Sequence, residues 1–257
     1  MFAIERQNKI KEILLNEKRV DVFELSKLFS VTEVTIRRDL DKLEREGFLI
    51  KTYGGAVLNK KNFADFAVEM NTDDETCNEK RMIGKIASEI IEEGNAIYIS
   101  PGSTCLEIAR NIKNMRLTVV TNDIMIAHEL RNCPGIKVIV TGGDLLHATS
   151  SLIGGFALQT LSGLYINKAF IGVKGINFNS GYTVDTYEEV MVLEEVISKS
   201  DDIIMVADYT KFNYTAFAKL GDLHTAGKVI TNKQVPSEYK KYYFENNIKL
   251  YTTFEFE

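Results

Sequence analysis

Residues 31–47 constrain the fold of this chain most, because they read as one amphipathic helix with a marked beginning and end. Thr32 can cap the first turn, and Gly47 can end the helix in a left-handed conformation. Ile36, Leu40 and Leu43 recur at helical spacing and predict a buried stripe. The opposite side carries a hydroxyl and three basic side chains, namely Thr35, Arg38, Lys42 and Arg45, and Arg37 flanks it. The pattern predicts a helix with an apolar inner face and a basic outer face.

The sequence on both sides predicts a winged helix-turn-helix. Helical patterns over residues 5–16 and 22–29 precede the basic helix, and Leu25, Leu28 and Phe29 are expected to face inward in the second. Two extended runs around a Gly-Gly pair then predict a β-hairpin wing. The candidate DNA contacts are Thr32, Thr35, Arg37, Arg38, Lys42, Arg45, Lys51 and Tyr53. A solvated helix face held by ion pairs, such as Asp41 with Arg45, is the alternative.

Charge and cysteine content agree with a DNA-binding head on an acidic body. Residues 1–60 carry 12 Lys and Arg against 10 Asp and Glu, a net charge of +2, whereas the remaining residues carry −7. The first residues of the sequence turn polar too early for a signal peptide, and no apolar run approaches the roughly 20 residues of a membrane span. We therefore expect a cytoplasmic protein with three reduced cysteines. No Cys or His spacing predicts a metal site, and no cofactor is implied.

From residue 78 onward, apolar strands alternate with helices, which predicts a doubly wound, mostly parallel α/β domain. The expected organisation is a DNA-binding domain over residues 1–58, a linker over 59–77 and a second domain over 78–257. The linker contains an apolar stretch, Phe63–Val68, for which docking on a partner and disorder both remain open.

Several strand ends of this second domain carry residues that favour an anionic ligand. The first is Ser100-Pro101-Gly102-Ser103-Thr104, and similar polar turns follow at Thr121-Asn122-Asp123 and Thr141-Gly142-Gly143. A later strand end leads to Asp208-Tyr209-Thr210-Lys211, which supplies a cation. Their appearance at successive ends of one sheet predicts a ligand pocket there.

Both halves resemble the DeoR family of bacterial transcription regulators. The resemblance is carried by Thr35–Leu40 and Tyr53–Ala56 in the first half, and by Gly102–Thr104, Thr141–Gly143, Ala169–Ile176 and Ala207–Phe212 in the second. It implies an operator-binding domain joined to a sugar-phosphate-sensing domain similar in fold to ribose-5-phosphate isomerase and glucosamine-6-phosphate deaminase. It also implies a homo-oligomer, either a dimer or a tetramer. The candidate effector contacts are Ser100, Gly102, Ser103, Thr104, Asn122, Gly142, Gly143, Lys174 and Lys211.

Four positions depart from the family pattern. The family often has Asp at the position of Ser100 and Ser at that of Asp123, and a usual Lys-Arg pair is replaced by Leu193-Glu194. Because Leu193-Glu194 lacks the two positive charges of the family pair and Asp123 adds a negative charge, phosphorylated and unphosphorylated effectors both remain open.

The function expected from these patterns is that of a regulator, most simply a repressor of a carbohydrate-metabolism operon, released from its operator by a small effector. A sugar-phosphate isomerase or deaminase with an accessory domain is the alternative. However, Lys174-Gly175-Ile176 stands where those deaminases carry an Asp-Gly-His, and Asp144 with His147 is the nearest acid–imidazole pair. A third hypothesis makes the second half an oligomerisation module with a vestigial pocket. No catalytic residue is assigned.

Overall fold

The computed structural model describes residues 6–7, 9–11, 13–14, 19–45, 48–58 and 75–252. The chain divides into two compact units, Met1–Thr72 and Asp73–Glu257. Residues 59–74, which include the apolar stretch Phe63–Val68, lie outside the described residues.

The first unit has the predicted helix-turn-helix and wing. The described residues among 6–14 are helical, and the elements that follow are β1 (Arg19–Asp21), α1 (Val22–Phe29), α2 (Glu33–Arg45), β2 (Leu49–Thr52) and β3 (Gly55–Leu58). The three strands pair antiparallel in the order β1-β3-β2. Asp21 caps α1 by accepting hydrogen bonds from Phe23 N and Glu24 N, and Ser30 ends α1 in the left-handed conformation. The wing prediction is confirmed, whereas β1 was not predicted.

One inward-facing residue of α1 was predicted wrongly. Leu25 and Phe29 are buried, but Leu28 is 64% exposed. Val22, Leu25 and Phe29 follow each other at spacings of three and four residues and form the buried stripe. Leu28 precedes Phe29 by one residue and therefore points about 100° away from this stripe.

The second unit is built on seven described strands, all parallel, in the order β15-β14-β12-β9-β4-β5-β6. These strands are β4 (Ala96–Ile99), β5 (Leu117–Thr121), β6 (Ile136–Val140), β9 (Ile166–Gly172), β12 (Ser200–Val206), β14 (Lys228–Thr231) and β15 (Lys249–Thr252). The helices are α3 (Glu75–Glu89), α4 (Ser103–Asn111), α5 (Ile124–Leu130), α6 (Gly155–Ser162), α7 (Tyr187–Ser198) and α8 (Ser237–Glu245).

Helices cover both faces of this sheet. Buried side chains of α3, α4 and α5 pack on one face, and those of α6, α7 and α8 pack on the other. A small antiparallel sheet of β10 (Gly175–Asn177), β11 (Gly181–Val184) and β13 (Ala218–Gly221) adds to the second face, and β7 (Asp144–Leu146) pairs with β8 (Ser151–Ile153) as a hairpin. The predicted doubly wound α/β fold is confirmed.

The short strands and the first helix boundary differ from the predictions. The sequence pattern did not predict β7, β8, β10, β11, β13 or β15, because runs of three or four mixed residues carry little periodicity. Helix α3 begins at Glu75 and ends at Glu89, so its first three residues fall within the predicted linker over 59–77. None of the helices in the described part of the chain is long and apolar enough to cross a membrane.

Candidate functional site

The basic helix α2 is held in place by its apolar stripe and its cap. Ile36, Leu40 and Leu43 are buried in the core of the first unit. The hydroxyl of Thr32 accepts a hydrogen bond from Thr35 N at 3.3 Å, so Thr32 caps the helix as predicted. Gly47, the predicted end of the helix, lies outside the described residues. The stripe and the cap together fix which face of α2 reaches solvent.

The outer face of α2 presents two basic side chains that have neither an ion-pair nor a hydrogen-bond partner among the described residues. Arg37 pairs with Glu33 at 3.3 Å, and Arg45 Nε donates to the carbonyl of Asp41 at 3.2 Å. Arg38 and Lys42 are exposed, and neither has an ion-pair or hydrogen-bond partner within the described ranges. These two cations are therefore available to an anionic ligand. Half-buried Thr35, whose Oγ1 lies 3.0 Å from that of Thr32, begins the same face.

The wing carries one predicted contact at its tip and another that is engaged with α2. Tyr53 is fully exposed in the turn between β2 and β3. The ammonium of Lys51 is hydrogen-bonded to the Asp41 carboxylate and lies 3.9 Å from Glu44 Oε2. The hydrogen bond to Asp41 raises the pKa of Lys51. Lys51 thus ties the wing to α2 in this structure.

Sequence reasoning missed the buried polar anchor of α2. Asp39 is only 4% exposed and accepts hydrogen bonds from Arg6 Nε at 2.6 Å and Gln7 Nε2 at 2.8 Å. Its partners lie more than 30 residues earlier in the chain, so helical periodicity could not reveal the pairing. The single available signal was a charged residue beside Leu40 on the buried side of the helix.

The second candidate site lies where the strand order of the large sheet reverses. β4 and β9 are neighbours, yet the chain proceeds from β4 towards β6 in one direction and from β9 towards β15 in the other. Ligands of open α/β sheets bind at the carboxyl ends of strands beside such a switch point. Ser100, which follows β4, accepts a hydrogen bond from Gly172 N of β9 at 2.7 Å through its hydroxyl. Ser100 therefore ties the two strand ends together and is itself buried.

Helix α4 begins at this edge with an uncapped first turn. Gly102 precedes it with φ 123°, and no side chain caps the helix. Ser103 is exposed and Thr104 half-buried, and their hydroxyls have no partner among the residues that the structure describes. Free amides at a helix start favour an anion. The first turn of α4 can accordingly accept an anionic or hydroxylated ligand.

A buried carboxylate stands beside this turn. Asp123 Oδ1 accepts from Met125 N at 2.6 Å and from Ile126 N at 3.3 Å, and so caps α5. Its Oδ2 accepts from Gly102 N at 3.2 Å. Burial raises the pKa of Asp123 although these hydrogen bonds oppose the shift. One amide of the α4 turn is therefore already used by a carboxylate.

Asn122 and the glycine pair at 142–143 have structural partners. The Asn122 side chain accepts from Tyr98 Oη at 2.6 Å and donates to the carbonyl of Leu152 at 2.9 Å. These contacts hold the β7–β8 hairpin beside the ends of β4 and β5. Gly142 and Gly143 have φ values of 71° and 119°, and a Cβ on Gly143 would come within 2.2 Å of the Ile153 carbonyl oxygen. The glycines allow the chain to turn into the hairpin.

The two predicted cations differ in their surroundings. Lys174 follows β9, and its ammonium lies 3.2 Å from the Asp185 carboxylate. Lys211, in the 3₁₀ turn Tyr209–Lys211 after β12, is half-buried and has no acidic partner in the described part of the chain. Lys211 is therefore the better placed of the two lysines to neutralise an anionic ligand.

Leu193 and Glu194 stand where the family usually has a Lys-Arg pair. Leu193 is buried in the core and Glu194 is exposed.

The acid–imidazole pair considered for catalysis lies at the surface. Asp144 and His147 are both exposed at the β7–β8 hairpin. Across the described ranges, no three His, Cys, Asp or Glu side chains come together in a way that could hold a metal ion.

Comparisons with known proteins match both units. The DeoR-like helix-turn-helix domain model matches residues 6–62, and the DeoR C-terminal sensor domain model matches residues 75–233. The chain is 34% identical over 234 residues to the uncharacterized HTH-type transcriptional regulator YulB of Bacillus subtilis, with 90% of each chain covered. It is 27% identical to the glycerol-3-phosphate regulon repressor of Escherichia coli, covering 97% of this chain and 99% of that one. Ribose 5 phosphate isomerase A from Neisseria gonorrhoeae aligns over 53% of this chain and 54% of its own, at 17% identity and a TM-score of 0.39.

Proposed function

This chain belongs to the DeoR family of helix-turn-helix transcriptional regulators, and we propose that it represses a carbohydrate-metabolism operon until a small effector binds its sensor domain. It is a regulator, not an enzyme. Its helix-turn-helix implies binding to DNA, and its sensor domain implies a small-molecule effector. Repression is the proposed sign of regulation, supported by the relative that is a repressor of the glycerol-3-phosphate regulon.

The observation that carries the DNA-binding proposal is the exposed basic face of α2 above a fully buried stripe, on which Arg38 and Lys42 have no partner among the described residues. Arg38 and Thr35 are proposed to read base edges in the major groove, since Arg can donate two hydrogen bonds to guanine. The remaining contacts are proposed to position the DNA backbone, and these are Thr32, Arg37, Lys42, Arg45, Lys51 and Tyr53. Lys51 would exchange its carboxylate partners for a phosphate.

Replacing Arg38 by Ala tests this assignment. We expect binding to a DNA sequence selected by the full chain to weaken by about 1–3 kcal/mol, with little change on random DNA at the same salt concentration. Lys137→Ala removes one exposed positive charge from β6 of the other unit and serves as the matched control. An equal loss on selected and random DNA would assign Arg38 to a phosphate.

The proposed effector is a phosphorylated sugar or sugar alcohol bound at the carboxyl edge of the sheet. The first turn of α4, with Gly102, Ser103 and Thr104, is proposed to meet its anionic end, and Lys211 to neutralise it. Ser100, Asn122, Gly142 and Gly143 shape this edge, and Lys174 borders it. The Asp123 carboxylate lies beside the same turn and can accept hydrogen bonds. It therefore supports a ligand that carries hydroxyl groups as well as an anionic group.

A thermal-shift screen of the full chain tests the effector proposal. Phosphorylated sugars and sugar alcohols are compared with their unphosphorylated forms, since a ligand that binds only the folded state raises the melting temperature. We expect a shift with a phosphorylated compound that is lost in Lys211→Ala and retained in Lys219→Ala, a lysine already paired with Asp222. A response to unphosphorylated compounds alone would refute a phosphate-binding role for Lys211.

The assembly proposed is a homo-oligomer, a dimer or a tetramer, because a two-fold symmetric operator needs two recognition helices at a fixed spacing. The proposed domain limits are 1–58 for DNA binding and 78–257 for sensing and oligomerisation, joined by residues 59–77. The proposed place of action is the cytoplasm, where the operator DNA lies. Sedimentation of the full chain at micromolar concentration measures the oligomeric state, and a monomer would contradict the proposed homo-oligomer.

A further inference from the structure

Helix α3 is the first element of the sensor unit and packs closely on α4. A Cβ on Gly84 of α3 would come within 2.7 Å of the carbonyl carbon of Glu107 in α4. The two helices therefore meet backbone to backbone, which leaves little freedom for one to move without the other. The first turn of α4, about one turn before Glu107, carries Ser103 and Thr104 of the candidate effector site. In the chain, α3 directly follows the segment that leads from the DNA-binding unit.

A second contact joins α3 to the turn that carries Lys211. The Glu79 carboxylate of α3 accepts one hydrogen bond from Asn232 Nδ2 and another from Gln234 Nε2, the latter at 2.9 Å. Asn232 follows β14 and is fully buried. Its Oδ1 accepts from Tyr209 N at 2.9 Å, and Tyr209 is the first residue of the 3₁₀ turn that ends at Lys211. The side chain of Asn232 thus links α3 to this turn through one donor and one acceptor.

The Lys211 turn is also held by the Asp208 cap before it and by buried Phe212 after it, which is bridged to Ile176 of β10. Asp208 caps it, accepting from Thr210 N at 3.0 Å through Oδ1. The other carboxylate oxygen, Oδ2, is buried and has no hydrogen-bond partner in the described part of the chain. A ligand that draws Lys211 towards itself would move Tyr209 N relative to Asn232. Because leaving the buried Asn232 Oδ1 without its donor is costly, the Asn232 side chain would either follow the turn or release Glu79.

We propose that α3 transmits the state of the effector site to the DNA-binding unit, and that Asn232 and Glu79 are the positioning residues of this coupling. The proposal rests on the proposed function, since it assigns the regulation of the same site. It requires the link to work in both directions, because coupling between two sites is reciprocal. A change at the Lys211 turn must therefore reach α3, and a change at Glu79 must reach the turn.

Tyr209→Pro removes the N–H that Tyr209 donates to Asn232 Oδ1, together with the tyrosine ring. Proline suits this position, because Tyr209 is the first residue of a helical turn and Asp208 before it is extended, with φ −74° and ψ 164°. Tyr209→Ala removes the ring but keeps the amide and is the matched control. Hydrogen exchange of the full chain is measured by mass spectrometry. In Tyr209→Pro, but not in Tyr209→Ala, we expect residues 76–83 of α3 to exchange about three-fold faster or more. Equal exchange in the two variants overturns the proposal.

Glu79→Gln tests the opposite direction and covers the case in which Tyr209→Pro does not fold. Glu89, exposed on the same helix, supplies the matched control Glu89→Gln. We expect faster exchange of residues 207–213 in Glu79→Gln alone, with β4 unchanged in both variants. Unchanged exchange of residues 207–213 overturns the proposal. This readout uses neither DNA nor effector, so a failure of the proposed function leaves its result interpretable.

Discussion

The buried pair of Asp39 with Arg6 predicts that the DNA-binding unit depends on one carboxylate. The two side chains are 5% and 8% exposed, and the Nε–Oδ2 distance is 2.6 Å. Asp39→Ala removes the charge that faces a buried guanidinium and one acceptor of Gln7. Breaking a buried pair in this way costs about 3–5 kcal/mol. A unit of about 60 residues has a free energy of unfolding of roughly 3–9 kcal/mol at about 0.05–0.15 kcal/mol per residue. The substitution should therefore remove a large part of its stability.

Hydrogen exchange of the α2 amides measures this free energy for the DNA-binding unit within the full chain. A loss of about 3 kcal/mol lowers the protection of these amides on the order of 100-fold. Asp41→Ala is the matched control, because Asp41 lies on the same helix but pairs with Lys51 at the surface, where ion pairs contribute little. If Asp39→Ala protects α2 as well as Asp41→Ala does, the reasoning from burial is wrong.

Three further predictions concern the sensor domain. Gly142→Ala should destabilise the sensor domain by about 1 kcal/mol, because Gly142 has a positive φ. Gly143→Ala should cost more than about 2 kcal/mol, because Gly143 has a positive φ and also approaches the Ile153 carbonyl. Urea denaturation measures both changes in the free energy of unfolding. Asp123 should titrate above 3.8 in carboxyl-carbon NMR, since burial outweighs its hydrogen bonds, and a midpoint below 3.8 would contradict this. Because its folded pKa is raised, its contribution to stability is complete at lower pH and is lost as the pH rises through that midpoint. Thr186→Ala should cost about 1 kcal/mol in urea denaturation by removing the capping box of α7, and an unchanged midpoint would count against that role.

The sequence predicted the elements whose residues repeat locally. Ile36, Leu40 and Leu43 repeat at helical spacing, and Thr32 lies three residues before the amide that it caps, so α2 could be placed from its own sequence. The apolar strands of the parallel sheet were predicted for the same reason. The helix-turn-helix and the doubly wound fold therefore follow from short-range patterns.

Features that join distant parts of the chain could not be predicted in this way. Asp39 was assigned no role, because its partner Arg6 is 33 residues away. Asn122 stays a predicted effector contact, but its hydrogen bonds to Tyr98 and Leu152 were not predicted. Lys51 stays a predicted DNA contact, but its contacts with two carboxylates of α2 were not predicted. In each case a tertiary partner decides what the side chain can do.

Release of DNA by a bound effector tests the central claim most directly. The full chain is bound to a fluorescently labelled, selected operator fragment, and anisotropy is followed during titration with a compound that raised its melting temperature. The account predicts that the compound weakens operator binding in the wild type. In Lys211→Ala, operator binding without compound should be unchanged and release should be lost. A compound that binds the sensor domain and leaves operator affinity unchanged would contradict the account.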